Sequence, residues 1–460
     1  MAFTAIVLAA GEGTRMKSKH PKVAHKMLGR PLVTWAVESA RQAGADRVIV
    51  VVGNGAEEVE DILASENVEC VLQAERLGTG HALKVALNET GVADGCVAVL
   101  YGDTPLVEPQ TIASLTCEVT EHGRAAAVLT MAPADPTGYG RIVVDDAGEV
   151  AAIIEHKDCT EEQRAALTEC NSGVYAFNGA ELAAHIDEIG CDNAQGEYYI
   201  TDMVEILKAA GLSVTAVHVE DDTEMLGVNS RAQLAEATKI MQLRINGRLM
   251  AEGVTMLDPN LVWVGPDVVI GRDTELLPGT YLWGATCVGT DCVIGPDSRL
   301  TDTRVGNGCT VDETVAEGAV IENDVTCGPR AYLRPGTHML DGSKAGTHVE
   351  IKKSTIGHGS KVPHLSYIGD TTMGDDVNVG AGSITCNYNG YEKNPTTIGD
   401  RAFIGSNTMM VAPVNLGSDV ITGAASCIVE DVPDGALGIA RARQTNVEGY
   451  AAKRAAKRES

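Results

Sequence analysis

Residues 269–300, "VIGRDTELLPGTYLWGATCVGTDCVIGPDSRL", carry an aliphatic residue at every sixth position: Ile270, Leu276, Leu282, Val288, Ile294 and Leu300. Neither a helix nor an ordinary strand has that period, whereas hexapeptide turns wound into a parallel β-helix do. The same frame returns as Ile321, Cys327, Leu333, Met339, Ala345 and Ile351. It returns again as Ile398, Ile404, Met410, Leu416, Thr422 and Ile428, with glycine directly after four of these six at Gly399, Gly405, Gly417 and Gly423. Three hexapeptides close one triangular coil, so a repeat sustained over about 160 residues predicts roughly eight to ten coils. Steps of five, from Leu300 to Val305 and from Ile351 to Ile356, fall where a corner can absorb a missing residue. The stretch "CNYNGYEKNPTT" at 386–397 breaks the repeat and reads as a loop thrown out from a corner, which a bare scaffold does not need.

Before about residue 228 the pattern changes. Short apolar runs, "RVIVVVG" at 47–53, "CVAVLYGD" at 96–103 and "AAAVLTM" at 125–131, alternate with longer amphipathic stretches. This predicts an α/β domain with a Rossmann-like, parallel-rich sheet whose strands end in ligand-facing loops. "TGYGRIVVDDAGEVAAIIEHKD" at 137–158 folds back around Asp146 to Gly148 as a hairpin, which makes the sheet mixed. Between the two patterns, Leu234, Met241, Ile245 and Leu249 recur at helical spacing, and Ser230 with Gln233 forms a capping box. The chain therefore divides into an α/β domain (1–228), a linker helix (229–250), a β-helix (251–437) and a tail (438–460). The tail's "AAKRAAKRES" reads as a short basic helix or a disordered end.

"TAIVLAAGEGTRM" at 4–16 is a buried strand that breaks into a Gly-rich turn. The residues Ala9 to Gly13 are mostly small, so backbone N–H groups can approach an anion closely. A third glycine is missing for a dinucleotide fingerprint, and no Gly-Lys-Ser/Thr follows for a Walker loop. Arg15 and Lys22 nearby supply more positive charge than a single monoester needs. Tyr101, Gly102 and Asp103 stand at a strand's carboxyl end, where open α/β sheets bind ligands. Asp103 either caps the next turn or holds a magnesium ion together with substrate phosphates.

The formal net charge of -27 disfavours nucleic acid and anionic membrane as partners, so a phosphorylated ligand must be held by local cations. Twelve cysteines without a C-x-x-C pair read as mostly buried thiols in a reducing compartment rather than as a zinc site. No long apolar run or signal peptide is present, so a cytoplasmic location is expected.

Within the β-helix, Arg334, Lys352, His364, Tyr367 and Asn378 depart from the aliphatic pattern. Spacings of 18, 12 and 14 residues between Arg334, Lys352, His364 and Asn378, on a coil of about 18, bring them into neighbouring layers. Two cations suit a sugar phosphate, and His364 offers a base for acyl transfer to an amine; alternatively it is a surface histidine in a Pro-His turn.

In order along the chain, "LAAGEGTRM", "HPKV", "LQAERLGTGHA", "YGDTPL", "DPTGYGRI", "EHKD", "NSGVY", "GEYYITD" and "GVNSR" resemble the motifs of sugar-nucleotide pyrophosphorylases. With "LRPG", "VEIKK", "HLSYIGD", "NVGAGSITCNYNG" and "IGSNT" behind them, the chain resembles the bacterial bifunctional N-acetylglucosamine-1-phosphate uridylyltransferase/glucosamine-1-phosphate N-acetyltransferase family from Leu8 to about Arg441. The resemblance implies a left-handed β-helix, a homotrimer, and a role in supplying UDP-N-acetylglucosamine for peptidoglycan and lipopolysaccharide. It implies UTP contacts on Leu8, Ala9, Ala10, Gly11, Lys22, Gln73, Gly78 and Thr79, with Tyr101 and Gly102 beside them. Arg15 and Lys22 would stabilise the departing pyrophosphate, Asp103 and Asn229 would hold Mg2+, and Gly140, Glu155 and Asn171 would hold the sugar. For Asn229 the residues alone favour a cap for the linker helix, and it is the resemblance that puts it on the metal. In the β-helix the implied glucosamine-1-phosphate site is Arg334, Lys352, Tyr367 and Asn378, with His364 as base. Ala381, Asn387, Tyr388, Ser406, Ala424 and Arg441 would line the acetyl-coenzyme A groove.

Two other functions stay open on the residues alone. A single-function pyrophosphorylase with a regulatory β-helix would not require Lys352, His364 and Tyr367 together with the 386–397 loop. A non-enzymatic β-helical scaffold would not require the Gly-rich turn with Lys22 and Asp103.

Overall fold

The computed structural model describes residues 3–193 and 195–459. The chain divides into two compact units, Met1–Met241 and Gln242–Ser460.

The first unit is built on one mixed sheet. Its strands run in the order Val214–His218, Ala126–Met131, Cys170–Asn178, Cys96–Tyr101, Phe3–Leu8, Ala45–Val52 and Glu69–Leu72. All neighbours in this order pair in parallel except Cys170–Asn178, which runs antiparallel to its two neighbours and also to Arg141–Val144. The expected hairpin pairs Arg141–Val144 with Val150–Ile154. These strands are nearly continuous apolar runs because both faces are covered. Val33, Val37, Ile112 and Leu115 of the helices Leu32–Gln42 and Pro109–Thr120 pack on one face. Leu83, Ala86, Met203 and Leu207 of Thr79–Thr90 and Asp202–Ala209 pack on the other. A fully buried leucine such as Leu83 contributes about 1.5–3 kcal/mol. Phe3–Leu8 lies between Ala45–Val52 and Cys96–Tyr101, with chain crossing to opposite sides of it. The loops after Leu8 and Tyr101 therefore open into one crevice at the carboxyl ends, the place where such sheets take ligands.

The helix Arg231–Ala251 follows. Ser230 Oγ accepts from the Gln233 N–H at 3.3 Å, while Gln233 Oε1 accepts from the N–H of Asn229 at 3.0 Å, so the return half of the expected box lands one residue early. Gln242 and Asn246 are fully buried in this helix, and both amide groups donate to the carbonyl of Val262.

The second unit is a parallel β-helix of the left-handed hexapeptide kind: three sheets of short strands, each strand pairing with one in the next coil. Leu276, Leu282, Ile294 and Leu300 point inward and are fully buried. The two expected five-residue steps occur, since Arg304–Val305 pairs with Cys287–Val288, and Thr355–Ile356 with His338–Met339. Further steps of this kind run from Val311 to Ala316 to Ile321 and from Ile368 to Met373, all inward residues. Corners are tied by buried hydroxyls: Thr280 Oγ1 donates to the carbonyls of Leu277 at 2.7 Å and of Ile294 in the next coil at 3.1 Å. The 386–397 segment projects as expected, closed by a Tyr388–Lys393 bridge with Tyr391 at its tip 96% exposed. The tail carries a helix, Tyr450–Glu459.

Of the twelve cysteines, six are buried and four (Cys70, Cys191, Cys287 and Cys427) are exposed, so the expectation of mostly buried thiols holds for half of them. Among the described residues no helix is long and apolar enough to cross a membrane.

Candidate functional sites

In the first unit, Ala9 continues the sheet by donating its N–H to the carbonyl of Val51 at 2.8 Å, and the chain then turns. The two glycines of the turn do different things. A Cβ on Gly11 would meet nothing within 4 Å, and this residue faces a cavity. Gly13 has φ +64°, and a Cβ there would lie 2.5 Å from Lys22 Cβ. Gly13 thus lets Lys22 pass close under the turn.

The cavity has a volume of about 550 Å³. Its wall includes Leu8, Ala9, Ala10, Gly11, Lys22, Gln73, Gly78, Thr79, Tyr101 and Asp103, all expected from the sequence. Glu12, Val23, Arg76, Ala82 and Glu197 also line it and were not expected. Arg76 is ion-paired with Glu12, joining the Gly-rich turn to the "RLGTG" loop across the cavity. Gly102 lies behind the wall, its N–H bonded to the carbonyl of Leu8 at 3.0 Å. Arg15 is exposed in the turn Thr14–Met16, outside the lining.

Lys22 Nζ is bonded to the Asp103 carboxylate and to Asn229 Oδ1, the latter at 2.9 Å. The Val228 N–H donates to the backbone carbonyl of Asp103 at 2.8 Å, which carries the "GVNSR" segment to that strand end. The side-chain oxygen of Asn229 is therefore not the helix cap; Ser230 is. Two hard oxygens converge on one cationic atom, a donor pair that suits a magnesium ion completed by phosphate oxygens.

The residues expected on the sugar side gather next to this cavity. The Asn171 N–H donates to the carbonyl of Gly140 at 2.9 Å, and Asn171 Nδ2 donates to the Tyr175 hydroxyl at 2.7 Å. Thr201 Oγ1 donates to Glu155 at 3.4 Å. Burial raises the Glu155 carboxyl above the ordinary range. Asp202 is pushed up to about 6, by burial first and then by Glu205 and Glu155. Tyr101 stands between the two groups, hydrogen-bonded to Thr79 and close to Asp103 and Glu155. Sequence reading missed Arg76, Glu197 and Asp202, although each lies in or beside a stretch whose neighbours it singled out.

In the β-helix the expected residues sort into two columns. Along one sheet face, the Arg334 N–H donates to the Ile351 carbonyl, Lys352 pairs with Gly369, and Asn387 Nδ2 donates to the Tyr367 hydroxyl at 3.3 Å and to Asp370 at 2.5 Å. Arg334 is also bonded to Glu350 at 2.9 Å. Gly369 makes the Tyr367 position possible, because a Cβ there would lie 2.5 Å from the Tyr367 hydroxyl. The second column follows a corner. The His364 carbonyl accepts from the Gly382 N–H at 3.4 Å, that of Ala381 from Asn407 at 2.8 Å and that of Ser406 from Ala425 at 2.8 Å. Arg441 Nη1 donates to the carbonyl of Ala424 at 3.0 Å. His364, Ala381, Ser406, Ala424 and Arg441 thus climb one ridge, a coil at a time. His364 and Tyr367 flank the same corner on two different sheets, and Asn378 lies on the His364 sheet, one coil on, in register with Lys361. Tyr388 lies in the projecting loop, 60% exposed.

Residues 5–175 match a family model described as a MobA-like NTP transferase domain. The chain is 49% identical over 452 residues to the bifunctional protein GlmU of Caldanaerobacter subterraneus subsp. tengcongensis, covering 98% of both. It is 48% identical over 453 residues to the bifunctional protein GlmU of Streptomyces avermitilis, covering 98% of this chain and 94% of that one. It is also 48% identical over 445 residues to the bifunctional protein GlmU of Carboxydothermus hydrogenoformans, covering 97% and 99%.

Proposed function

Because the chain belongs to the family of bifunctional GlmU proteins, we propose that its β-helix (251–437) acetylates glucosamine-1-phosphate with acetyl-coenzyme A and its α/β domain (1–228) then joins the product to UMP from UTP. The observation that carries the reading is the convergence of Lys22, Asp103 and Asn229 beside the Gly-rich turn in the carboxyl-end crevice.

In the α/β domain the backbone from Leu8 to Gly11 cradles the triphosphate of UTP, while Gln73, Gly78 and Thr79 form the wall against the base. Gly140, Glu155 and Asn171 hold N-acetylglucosamine-1-phosphate so that a phosphate oxygen faces the α-phosphorus. That oxygen needs no general base, because a phosphate monoester with a second pKa of about 6 is already largely dianionic near neutral pH. A bond forms from this oxygen to the α-phosphorus, the bond to the β-phosphate oxygen breaks, and pyrophosphate leaves. Lys22 and Arg15 stabilise the charge that accumulates on the leaving group. Asp103 and Asn229 would hold Mg2+, which would supply neutralisation of phosphate charge.

In the β-helix, Arg334 and Lys352 hold the sugar phosphate, and Tyr367 and Asn378 complete its pocket. Acetyl-coenzyme A lies along the ridge of Ala381, Ser406, Ala424 and Arg441, bounded by Asn387 and Tyr388. His364 takes a proton from the amine as nitrogen attacks the thioester carbonyl; the C–N bond forms, the C–S bond breaks and coenzyme A leaves. A trimer fits the exposed apolar column of Phe403, Ile421 and Leu437 in successive coils, which asks for a partner surface. The substrates are small, phosphorylated and cytoplasmic, and the protein works in that compartment.

The test is incubation with glucosamine-1-phosphate, acetyl-coenzyme A, UTP and magnesium, with mass analysis for UDP-N-acetylglucosamine. Product that persists without acetyl-coenzyme A, or none in the full mixture, overturns the reading.

A further inference from the structure

Gln73 follows the strand Glu69–Leu72, is 4% exposed, and lines the nucleotide cavity. Its Nε2 lies 3.1 Å from the carbonyl oxygen of Gly78 and 3.1 Å from Nδ1 of His81. A carbonyl oxygen only accepts, so the amide nitrogen and not the amide oxygen must face Gly78. The second amide hydrogen then goes to His81, whose Nδ1 must be the unprotonated, accepting nitrogen. Both donors of the amide are used inside the protein, and no side chain or backbone donor among the described residues reaches Oε1. What Gln73 has left for a ligand is a pure acceptor in fixed orientation.

Placed opposite N3, a pure acceptor discriminates between pyrimidines. Uracil carries a hydrogen on N3 and can donate to it. Cytosine has a bare N3 and would set acceptor against acceptor, leaving buried groups unpaired. We propose that His81 is a positioning residue for base selection: by accepting from the Gln73 amide it holds Oε1 toward the base and makes the site prefer UTP over CTP. His81 is absent from the wall of the nucleotide cavity and instead lines a separate cavity of about 270 Å³ with Tyr198 and Lys84, so it acts through Gln73 and not on substrate. The inference rests on the reading of the larger cavity as the UTP site.

The experiment measures kcat/KM for UTP and for CTP, with N-acetylglucosamine-1-phosphate and magnesium, in the full-length protein and in His81→Leu, His81→Asn and Gln73→Leu. His81→Leu should lower the UTP-to-CTP ratio about tenfold, through a higher KM for UTP with kcat largely kept. His81→Asn, which keeps a side-chain acceptor, should restore part of the ratio. Gln73→Leu should lower the ratio at least as far. An unchanged ratio in His81→Leu with a fallen ratio in Gln73→Leu overturns the positioning role and leaves the cavity assignment standing. Unchanged UTP kinetics in Gln73→Leu overturns the cavity assignment itself, and the inference with it. Equal loss of UTP and CTP turnover in both His81 variants marks a packing role and also overturns it.

Discussion

Lys393, on the projecting 386–397 loop, stands against Lys352 and holds the Lys352 ammonium below the ordinary lysine range, with partial loss of solvent adding to the effect. Two ammonium groups pressed together repel one another, and a dianionic phosphate between or beside them relieves that repulsion. Arg334 lies in the coil next to Lys352 on the same sheet face. The loop that interrupts the repeat thus brings a third cation to Arg334 and Lys352, the residues proposed to hold the sugar phosphate.

Lys393→Ala should therefore raise the KM for glucosamine-1-phosphate in acetyl transfer by about tenfold, with a smaller effect on kcat. The KM for acetyl-coenzyme A should hardly change. Steady-state thiol release at varied sugar phosphate reads both, and the effect should shrink as ionic strength rises, because the groups are at the surface. An unchanged sugar-phosphate KM would leave Lys393 as a structural residue of the loop.

Asp103→Ala removes one of the two oxygens that meet Lys22 and should reduce uridylyl transfer by about 10²–10³-fold. Acetyl transfer should continue at its normal rate, because every residue assigned to it lies between 334 and 441. Pyrophosphate release and thiol release measured on the same preparation decide the matter. A joint fall in a well-folded protein would mean that the two activities do not have separate sites.

The six-residue frame is legible because inward positions of a narrow prism admit only small and aliphatic side chains, so Leu276, Leu282 and Ile294 declare it directly. The crevice is half legible. Lys22 and Asp103 are 81 residues apart and meet only because Phe3–Leu8 and Cys96–Tyr101 are adjacent parallel strands, which periodicity does not reveal. Lys393 was invisible for the opposite reason: it lies in a loop with no period, where nothing local says which strand residue it will reach. Gln242 and Asn246 are polar residues on a helix read by its apolar spacing, and the carbonyls of Pro259 and Val262 that take their amides lie too far along the chain for that spacing to reveal.

Asp202 yields a pH-dependent stability with a definite sign. Its folded value of about 6 lies above the value of about 3.9 for an unfolded aspartate. Between roughly pH 4 and 6 the folded state thus binds more protons, and this group's contribution to stability falls as pH rises through that window. Asp202→Asn should raise Tm at pH 7.5 by roughly 2–4 °C, or about 1 kcal/mol once the group's partial exposure is allowed for. At pH 4 it should change nothing. Scanning calorimetry at both pH values checks this, and a shift of equal size in both would assign the gain to something other than the carboxyl charge.

His364→Ala tests the base proposed in the β-helix. The imidazole flanks the corner it shares with Tyr367, at the foot of the ridge that continues through Ala381, Ser406 and Ala424, so a thioester laid along the ridge delivers its carbonyl close to this side chain. Loss of a general base costs typically about 10²–10⁴-fold, and acetyl transfer at pH 7 should fall within that range while uridylyl transfer is unaffected. Raising the pH should recover part of the lost rate, because more of the glucosamine amine is then already unprotonated and the missing base matters less. Lys352→Ala should behave differently: its defect lies in holding the phosphate, so it should appear in KM and recover little with pH. Thiol release across pH 6 to 9 for both variants separates the two roles. Near-normal release by His364→Ala at pH 7 would remove His364 from the reaction and leave it a corner residue bonded through its carbonyl to Ser366.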